Sequence, residues 1–174
     1  MKNFLFLNKN SRNACAERSR SGQMMVEAMV SITIVVVGLL GIFSLTSRSL
    51  SLNQVITSQY VASNLSAEGI EVVKNILDKN VIQRRPWNEG VGPGDYEVDY
   101  SSVSLSGFSN RTLNFDPGSG FYSYAAGNTT TYMRKISIDQ ISPDELHVRS
   151  IVDWTTRDNA AFQIITEDYF FNWR

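Results

Sequence analysis

Cysteine and histidine are almost absent from this chain of 174 residues, which contains only Cys15 and His147. A single cysteine cannot form an intrachain disulfide, and it cannot supply a cluster of thiolate metal ligands. A domain outside the cytoplasm would then depend on its own hydrophobic core for stability, which is feasible at this length. Disulfide-stapled and zinc-ribbon folds are therefore excluded.

The groups needed for catalysis are also scarce. His147 alternates out of phase with the apolar Leu146 and Val148, a pattern that favours a surface position on a strand. No G-x-S-x-G motif is present, and the glycine-rich residues 90–94 lack the Lys-Ser/Thr pair of a phosphate-binding loop. We expect that the protein is not an enzyme and needs no cofactor.

Three acidic residues, Asp95, Glu97 and Asp99, alternate along one predicted strand. Their carboxylates suit calcium, but a solvated strand face explains the same pattern and is the favoured interpretation. We predict no metal site.

Net charge is only −1, so no strong field indicates a nucleic acid partner. This average hides an asymmetry. Residues 1–22 hold five of the 16 basic residues and one of the 17 acidic residues, which leaves 11 basic and 16 acidic residues in the remainder. A basic N-terminus followed by an acidic domain is expected when the first part stays in the cytoplasm and the rest crosses a membrane.

One long apolar run follows this basic segment. Residues 28–47 (AMVSITIVVVGLLGIFSLTS) contain no charge, and Glu27 and Arg48 flank them. A helix of that length spans about 30 Å, the thickness of the hydrocarbon core of a bilayer. A buried core helix would show a polar face, and this run shows none. We predict a membrane-spanning helix with its N-terminus in the cytoplasm.

The position of Glu27 needs an explanation, because a carboxylate next to an apolar span is costly unless it is paired, protonated or at the interface. A small-residue step, Ser21-Gly22, precedes the apolar run, whereas a secretory signal peptide carries its cleavage site after the run. Cleavage between Gly22 and Gln23 would create an α-amine one helical turn before Glu27. That amine and a carboxylate attract each other strongly at low dielectric, within one helix or between neighbours. A plain flanking charge is the alternative interpretation.

The sequence GQMMVE at residues 22–27, followed at once by the apolar helix, resembles the type IV prepilin signature. In that family a prepilin peptidase cuts after the glycine and methylates the new N-terminus, and the glutamate at the fifth mature position guides assembly. The resemblance implies cleavage between Gly22 and Gln23, N-methylation of Gln23 and an assembly role for Glu27. It also implies that Gly38 and Gly41 lie where pilin helices loosen on assembly, although simple packing spacers explain these glycines equally well.

The remaining sequence predicts a pilin-like α+β fold. Apolar residues continue at helical spacing beyond Arg48, which extends the helix as an amphipathic one to about Asp78. Residues 84–94 end it, and alternating segments then predict at least four antiparallel strands packed on the helix: 96–103, 133–138, 146–154 and 162–169. Turns are expected at residues 116–118, 142–144 and 157–159. The predicted organisation is a leader (1–22), an assembly helix (23–48), its amphipathic continuation (49–80) and a β-rich domain (81–174).

The C-terminal part and residues 67–71 (AEGIE) are similar to minor pilins of the pilus-modification type. The resemblance implies a minor pilin that is a single-pass inner-membrane protein before it enters an extracellular filament. Its partners would be prepilin peptidase, other pilin subunits and the inner-membrane assembly machinery. A pseudopilin of a type II secretion system, a signal-anchored β-rich binding domain and a tethered hydrolase are the alternatives; the hydrolase lacks a catalytic set.

Overall fold

A computed structural model describes residues 10–125, 127–156 and 159–172, with side chains described from Gly22 onward. It contains one long helix, α1 (Asn10–Ile82), followed by an antiparallel sheet, so the predicted α+β class is confirmed. The chain divides into two compact units, Met1–Asn53 and Gln54–Arg174. All of the strands belong to the second unit.

Helix α1 begins before Gln23 and ends at Ile82, four residues beyond the predicted end at Asp78. Its last turn is held by Asn80, whose side-chain amide donates hydrogen bonds to the carbonyl oxygens of Trp87 (3.2 Å) and Glu89 (2.8 Å). Arg84 then takes a positive φ of 56°, which turns the chain out of the helix. The Asn80 amide therefore satisfies two carbonyl groups of the loop, and the apolar pattern of the sequence does not reveal these bonds.

Within the described residues seven strands form one sheet, and every pairing is antiparallel. The strands are β1 (Gly94–Glu97), β2 (Ser106–Gly107), β3 (Thr112–Phe115), β4 (Tyr122–Ser123), β5 (Asn128–Ser142), β6 (Glu145–Thr155) and β7 (Ala161–Phe171). One side of β5 pairs with β1 and β3, which in turn pair with β2 and β4, and the other side pairs with β6. Strand β7 pairs with β6 along its whole length. The two longest ladders, β5–β6 and β6–β7, are thus hairpins between sequence neighbours.

The core forms between the sheet and the part of α1 that lies in the second unit. Strand β6 alternates as predicted, with Leu146, Val148, Ser150 and Val152 fully buried. One apolar cluster joins the helix residues Ile70, Val73 and Ile76 to β5 and β6, and a second cluster is centred on Trp154. Burial of this face gives the β6 register its specificity, since a shift of one residue would expose the entire set.

Two details of the predicted sheet differ from the structure. The strand expected at 96–103 is shorter, because the chain leaves β1 after Glu97 and turns around Asp99. The short strands β2, β3 and β4 were not predicted. The turns at 116–118 and 142–144 are present, whereas Arg157 and Asp158 of the third expected turn lie outside the described residues.

Candidate membrane-anchoring and assembly segment

The apolar part of α1 presents its side chains outward along its length. Every large apolar residue from Met24 to Leu50 is between 47% and 74% exposed. This is the one segment of the described chain that is long and apolar enough to cross a membrane. Such a continuous apolar surface needs a cover of lipid or of other helices.

Two threonine hydroxyls inside this segment are satisfied by the helix itself. The hydroxyl of Thr33 donates to the carbonyl oxygen of Met29 at 2.7 Å, and that of Thr46 donates to Ile42 at 2.9 Å. In hydrocarbon each unsatisfied polar group would cost several kcal/mol, so these bonds fit a lipid environment.

Glu27 lies on the exposed surface of α1 and is the one ionisable residue between Gly22 and Arg48. Gly22 and Gln23, the expected cleavage pair, lie in the same helix one turn earlier. The structure thus places the three residues in one helical segment at the start of the apolar surface. Arg18 and Arg20, which precede them, have no described side chains.

Gly38 and Gly41 lie in the middle of the apolar surface, within continuous α-helix. A Cβ atom at either position would meet nothing within 4 Å. Contacts among the described residues therefore do not require glycine at either position.

Gly69 is different, because the sheet packs directly on it. A Cβ atom there would approach Ser150 Oγ, lie 2.8 Å from Ile136 Cδ1 and lie 3.2 Å from Arg134 Cδ. Next to it, the hydroxyl of Ser66 bonds to the Ser150 carbonyl oxygen at 2.8 Å and to Thr166 Oγ1 at 2.9 Å. Small residues in the 66–69 turn of α1 therefore allow the helix backbone to approach the sheet closely.

Arg134 is a buried charged residue that the sequence pattern does not identify. Its side chain is fully buried in β5, and its guanidinium donates to the carbonyl oxygens of Leu65 and Val98 and to Glu68 Oε1 at 3.0 Å. Glu68, which is partly exposed on helix α1, pairs with this buried cation. The arrangement fixes the helix on the sheet.

The acidic triplet of the first strand does not form one site. Glu97 is buried and accepts bonds from Ser109 and from Arg111, whose Nε and Nη2 both lie 2.8 Å from Oε2. Burial raises the pKa of the Glu97 carboxyl, but the bonds from Arg111 and Ser109 outweigh burial and lower it. The interpretation of this residue as part of a solvated strand face is wrong.

Its two neighbours in the triplet serve other contacts. Asp95 pairs with Lys135 at 3.4 Å on the surface. Burial raises the pKa of Asp99, but the hydrogen bonds from Ser101, Tyr124 and Ser102 outweigh burial and lower it. The same bonds stabilise the turn after β1. Each carboxylate therefore has its own protein partners, and no cation is needed to explain them.

His147 lies on the sheet face opposite Leu146 and Val148, as the alternation predicts. Its ring is stacked on Tyr169 with centroids 4.4 Å apart, and Nε2 lies 3.1 Å from Glu167 Oε2. Tyr122 and Tyr124 pack against the cluster that contains Trp154.

No family model, curated protein or solved structure matches the chain. The fold places the chain in the class of α+β proteins with one long N-terminal apolar helix followed by an antiparallel sheet. This architecture is compatible with that of the pilins.

Proposed function

We propose that the chain is a minor pilin, a structural subunit of a type IV pilus or a related filament. The observation that carries the proposal is the position of Glu27. It is the lone ionisable group at the start of an exposed apolar helix, one turn after a Gly-Gln pair that matches a prepilin cleavage site.

In this proposal a prepilin peptidase cuts between Gly22 and Gln23 and methylates the new N-terminus. The subunit first resides in the inner membrane with its N-terminus in the cytoplasm, as the basic residues before Gly22 favour. The β-rich domain lies on the other side. The subunit then moves into the filament, where neighbouring apolar helices take over the cover that lipid provided.

Glu27 supplies the electrostatic part of assembly. An α-ammonium and a carboxylate attract more strongly in an apolar helix bundle than in water, because little solvent screens them. An uncompensated charge in the same bundle would be destabilising by several kcal/mol. One subunit's amine paired with the next subunit's Glu27 would therefore favour a single axial stagger.

The sheet domain has a mechanical and presenting role in this proposal. Close packing at Gly69 and the buried Arg134 hold the sheet on the helix, so that force on one is transmitted to the other. The function requires no catalytic residue and no cofactor. A type II secretion pseudopilin would use the same processing and the same assembly glutamate.

Mass spectrometry of the N-terminal peptide of the membrane-extracted protein tests the proposal. We expect a chain that begins at N-methylated Gln23 when a prepilin peptidase is present, and an uncut chain when the peptidase gene is deleted. A chain that begins at Met1 in both strains, or after residue 47, would instead identify a signal-anchored or secreted β-rich domain. Gly22→Ala is the matched variant, and we expect it to block the cut.

A further inference from the structure

The residue that the proposed cleavage would leave at the new N-terminus is a glutamine, Gln23. Its carboxamide carbon, Cδ, is separated from its α-nitrogen only by Cα, Cβ and Cγ. A bond between that nitrogen and Cδ closes a five-membered ring, which is nearly free of strain. In the uncut chain the nitrogen belongs to a peptide bond and is not nucleophilic. Cleavage after Gly22 therefore creates an amine within reach of an electrophilic carbon of the same residue.

The surroundings of Gln23 leave both reacting groups accessible. Its side chain is exposed on α1 and makes no hydrogen bond to another described residue. The next side chains, Met24 and Met25, are 73% and 74% exposed, so no packing among the described residues holds the carboxamide in place. The first N–H groups of a helix have no acceptor within it, and a ring at the first helical position is tolerated there, as proline is. Ring closure would therefore not disrupt α1.

The reaction needs no co-reactant. The lone pair of the α-nitrogen attacks Cδ of Gln23, the N–Cδ bond forms, and the Cδ–Nε2 bond breaks. Nε2 leaves as ammonia together with the proton that the α-nitrogen loses. An N-methylated amine can react in the same way, because it keeps a lone pair and one N–H. The product is a pyroglutamyl lactam, whose nitrogen is an amide and carries no charge.

Loss of this charge matters because of Glu27. This carboxylate makes no ion pair with another described residue, and it lies one helical turn after Gln23. In the proposed filament, the α-ammonium of one subunit neutralises Glu27 of the next. A lactam has no ammonium, so a subunit that carries it would leave a neighbour's Glu27 uncompensated in an apolar helix bundle. Cyclised subunits should therefore be excluded from fibres.

Assembly in turn would protect the amine. Only the neutral amine is a nucleophile, and α-amines titrate close to neutral pH, so a fraction of the free subunits carries it. A neighbour's carboxylate at low dielectric favours the ammonium form, whose nitrogen has no lone pair. The ring should therefore form in subunits that wait in the membrane and not in subunits inside a fibre.

We infer that Gln23 is a self-modifying N-terminus: unassembled mature subunits convert it to a pyroglutamyl lactam and thereby lose the ability to enter the filament. The modification rests on the proposed function, because it requires cleavage after Gly22. It adds a covalent modification site and a time limit on assembly.

A chase experiment in a strain that lacks the ATPase of the assembly machinery tests the inference. Synthesis of the subunit is stopped, and the intact membrane-extracted chain is followed by mass spectrometry. We expect a form that has lost one ammonia relative to the mature chain, and its share should rise with chase time. An isotope-labelled synthetic peptide of residues 23–48, added at lysis, reports any ring closure during preparation.

Restoring the ATPase after the chase measures the effect on assembly. The share of lactam in sheared fibres should be at least about tenfold lower than in the membrane, as expected when a buried charge loses its partner. Gln23→Asn is the matched variant, because it keeps a carboxamide but would need a strained four-membered ring. Gln23→Met lacks the carboxamide. Assembly of the wild type should decline with chase time, whereas assembly of both variants should not.

The outcomes distinguish failure of the inference from failure of the proposed function. A chain that is cut after Gly22 and keeps its ammonia throughout the chase overturns the inference alone. Equal shares of lactam in fibres and membrane, or an equal decline of Gln23→Asn, overturn the link to assembly. Ring closure in the labelled peptide to the same extent as in the protein identifies a preparation artefact and also overturns the inference. A chain that begins at Met1 although the peptidase is present overturns both.

Discussion

The guanidinium of Arg134 lies 3.0 Å from the carboxylate of Glu68, although no part of the Arg134 side chain is exposed. Its other donors bond to the carbonyl oxygens of Leu65, in the helix, and of Val98, after β1. One residue of the central strand thus connects three segments that are far apart in sequence. A buried cation of this kind is tolerated only because all of these acceptors surround it.

Replacing Arg134 should therefore destabilise the domain more than replacing its partner. Arg134→Met leaves the Leu65 and Val98 carbonyls without their donor, and we expect a loss of about 3 kcal/mol in the free energy of unfolding. Glu68→Gln keeps an acceptor oxygen at a partly exposed position, and we expect a loss of about 1 kcal/mol. Urea unfolding followed by tryptophan fluorescence measures both, and an Arg134→Met loss no larger than that of Glu68→Gln would contradict this account.

Two glycines of the same helix should respond differently to replacement by alanine. At Gly69 the new methyl group meets Ser150, Ile136 and Arg134, and we expect a loss of about 1–2 kcal/mol after the better helix propensity of alanine is included. Gly41→Ala is the matched control, since a Cβ there meets nothing within 4 Å, and it should leave the unfolding of the sheet domain unchanged. Equal effects at both sites would show that close packing is not the reason for Gly69.

Sequence patterns predicted the elements whose stability depends on one continuous buried face. Strand β6 was predictable because Leu146, Val148, Val152 and Trp154 keep a period of two around Ser150, and the apolar helix was predictable from its uncharged run. Strands β2 and β4 were not predictable, because two residues show no period. Their positions depend on pairing with strands that lie elsewhere in the sequence.

The buried charges were also beyond prediction, for a different reason. In a strand pattern Arg134 and Glu97 are interpreted as surface residues, because no residue close to them in sequence indicates an ionic partner. Arg111 lies 14 residues from Glu97, and Glu68 lies 66 residues from Arg134. By contrast, Gly22, Gln23 and Glu27 are recognisable because their relationship is local and helical.

Glu97 should make stability depend on pH in the acidic range. Its pKa in the folded protein is below the ordinary value of 4.5, because the bonds from Arg111 and Ser109 outweigh burial. A lowered pKa gives stability that is fully present above the unfolded value and is lost as pH falls through the folded value. Between pH 5 and pH 3 the wild type should lose more free energy of unfolding than Glu97→Gln. Parallel pH profiles from urea unfolding would contradict this assignment.

Glu27 is the residue on which the proposed filament function depends most directly. Glu27→Leu makes the apolar segment more continuous, so membrane insertion should persist, while the partner for a neighbour's α-amine is lost. We expect at least about tenfold less subunit in sheared surface fibres relative to the membrane fraction, the effect of leaving a buried charge without its partner. Glu27→Gln should behave alike, because it keeps the shape and removes only the charge. Glu71→Gln, an exposed glutamate on the same helix, serves as the control and should assemble normally. Normal incorporation of both Glu27 variants would leave the carboxylate without an assembly role, even if cleavage after Gly22 still occurred.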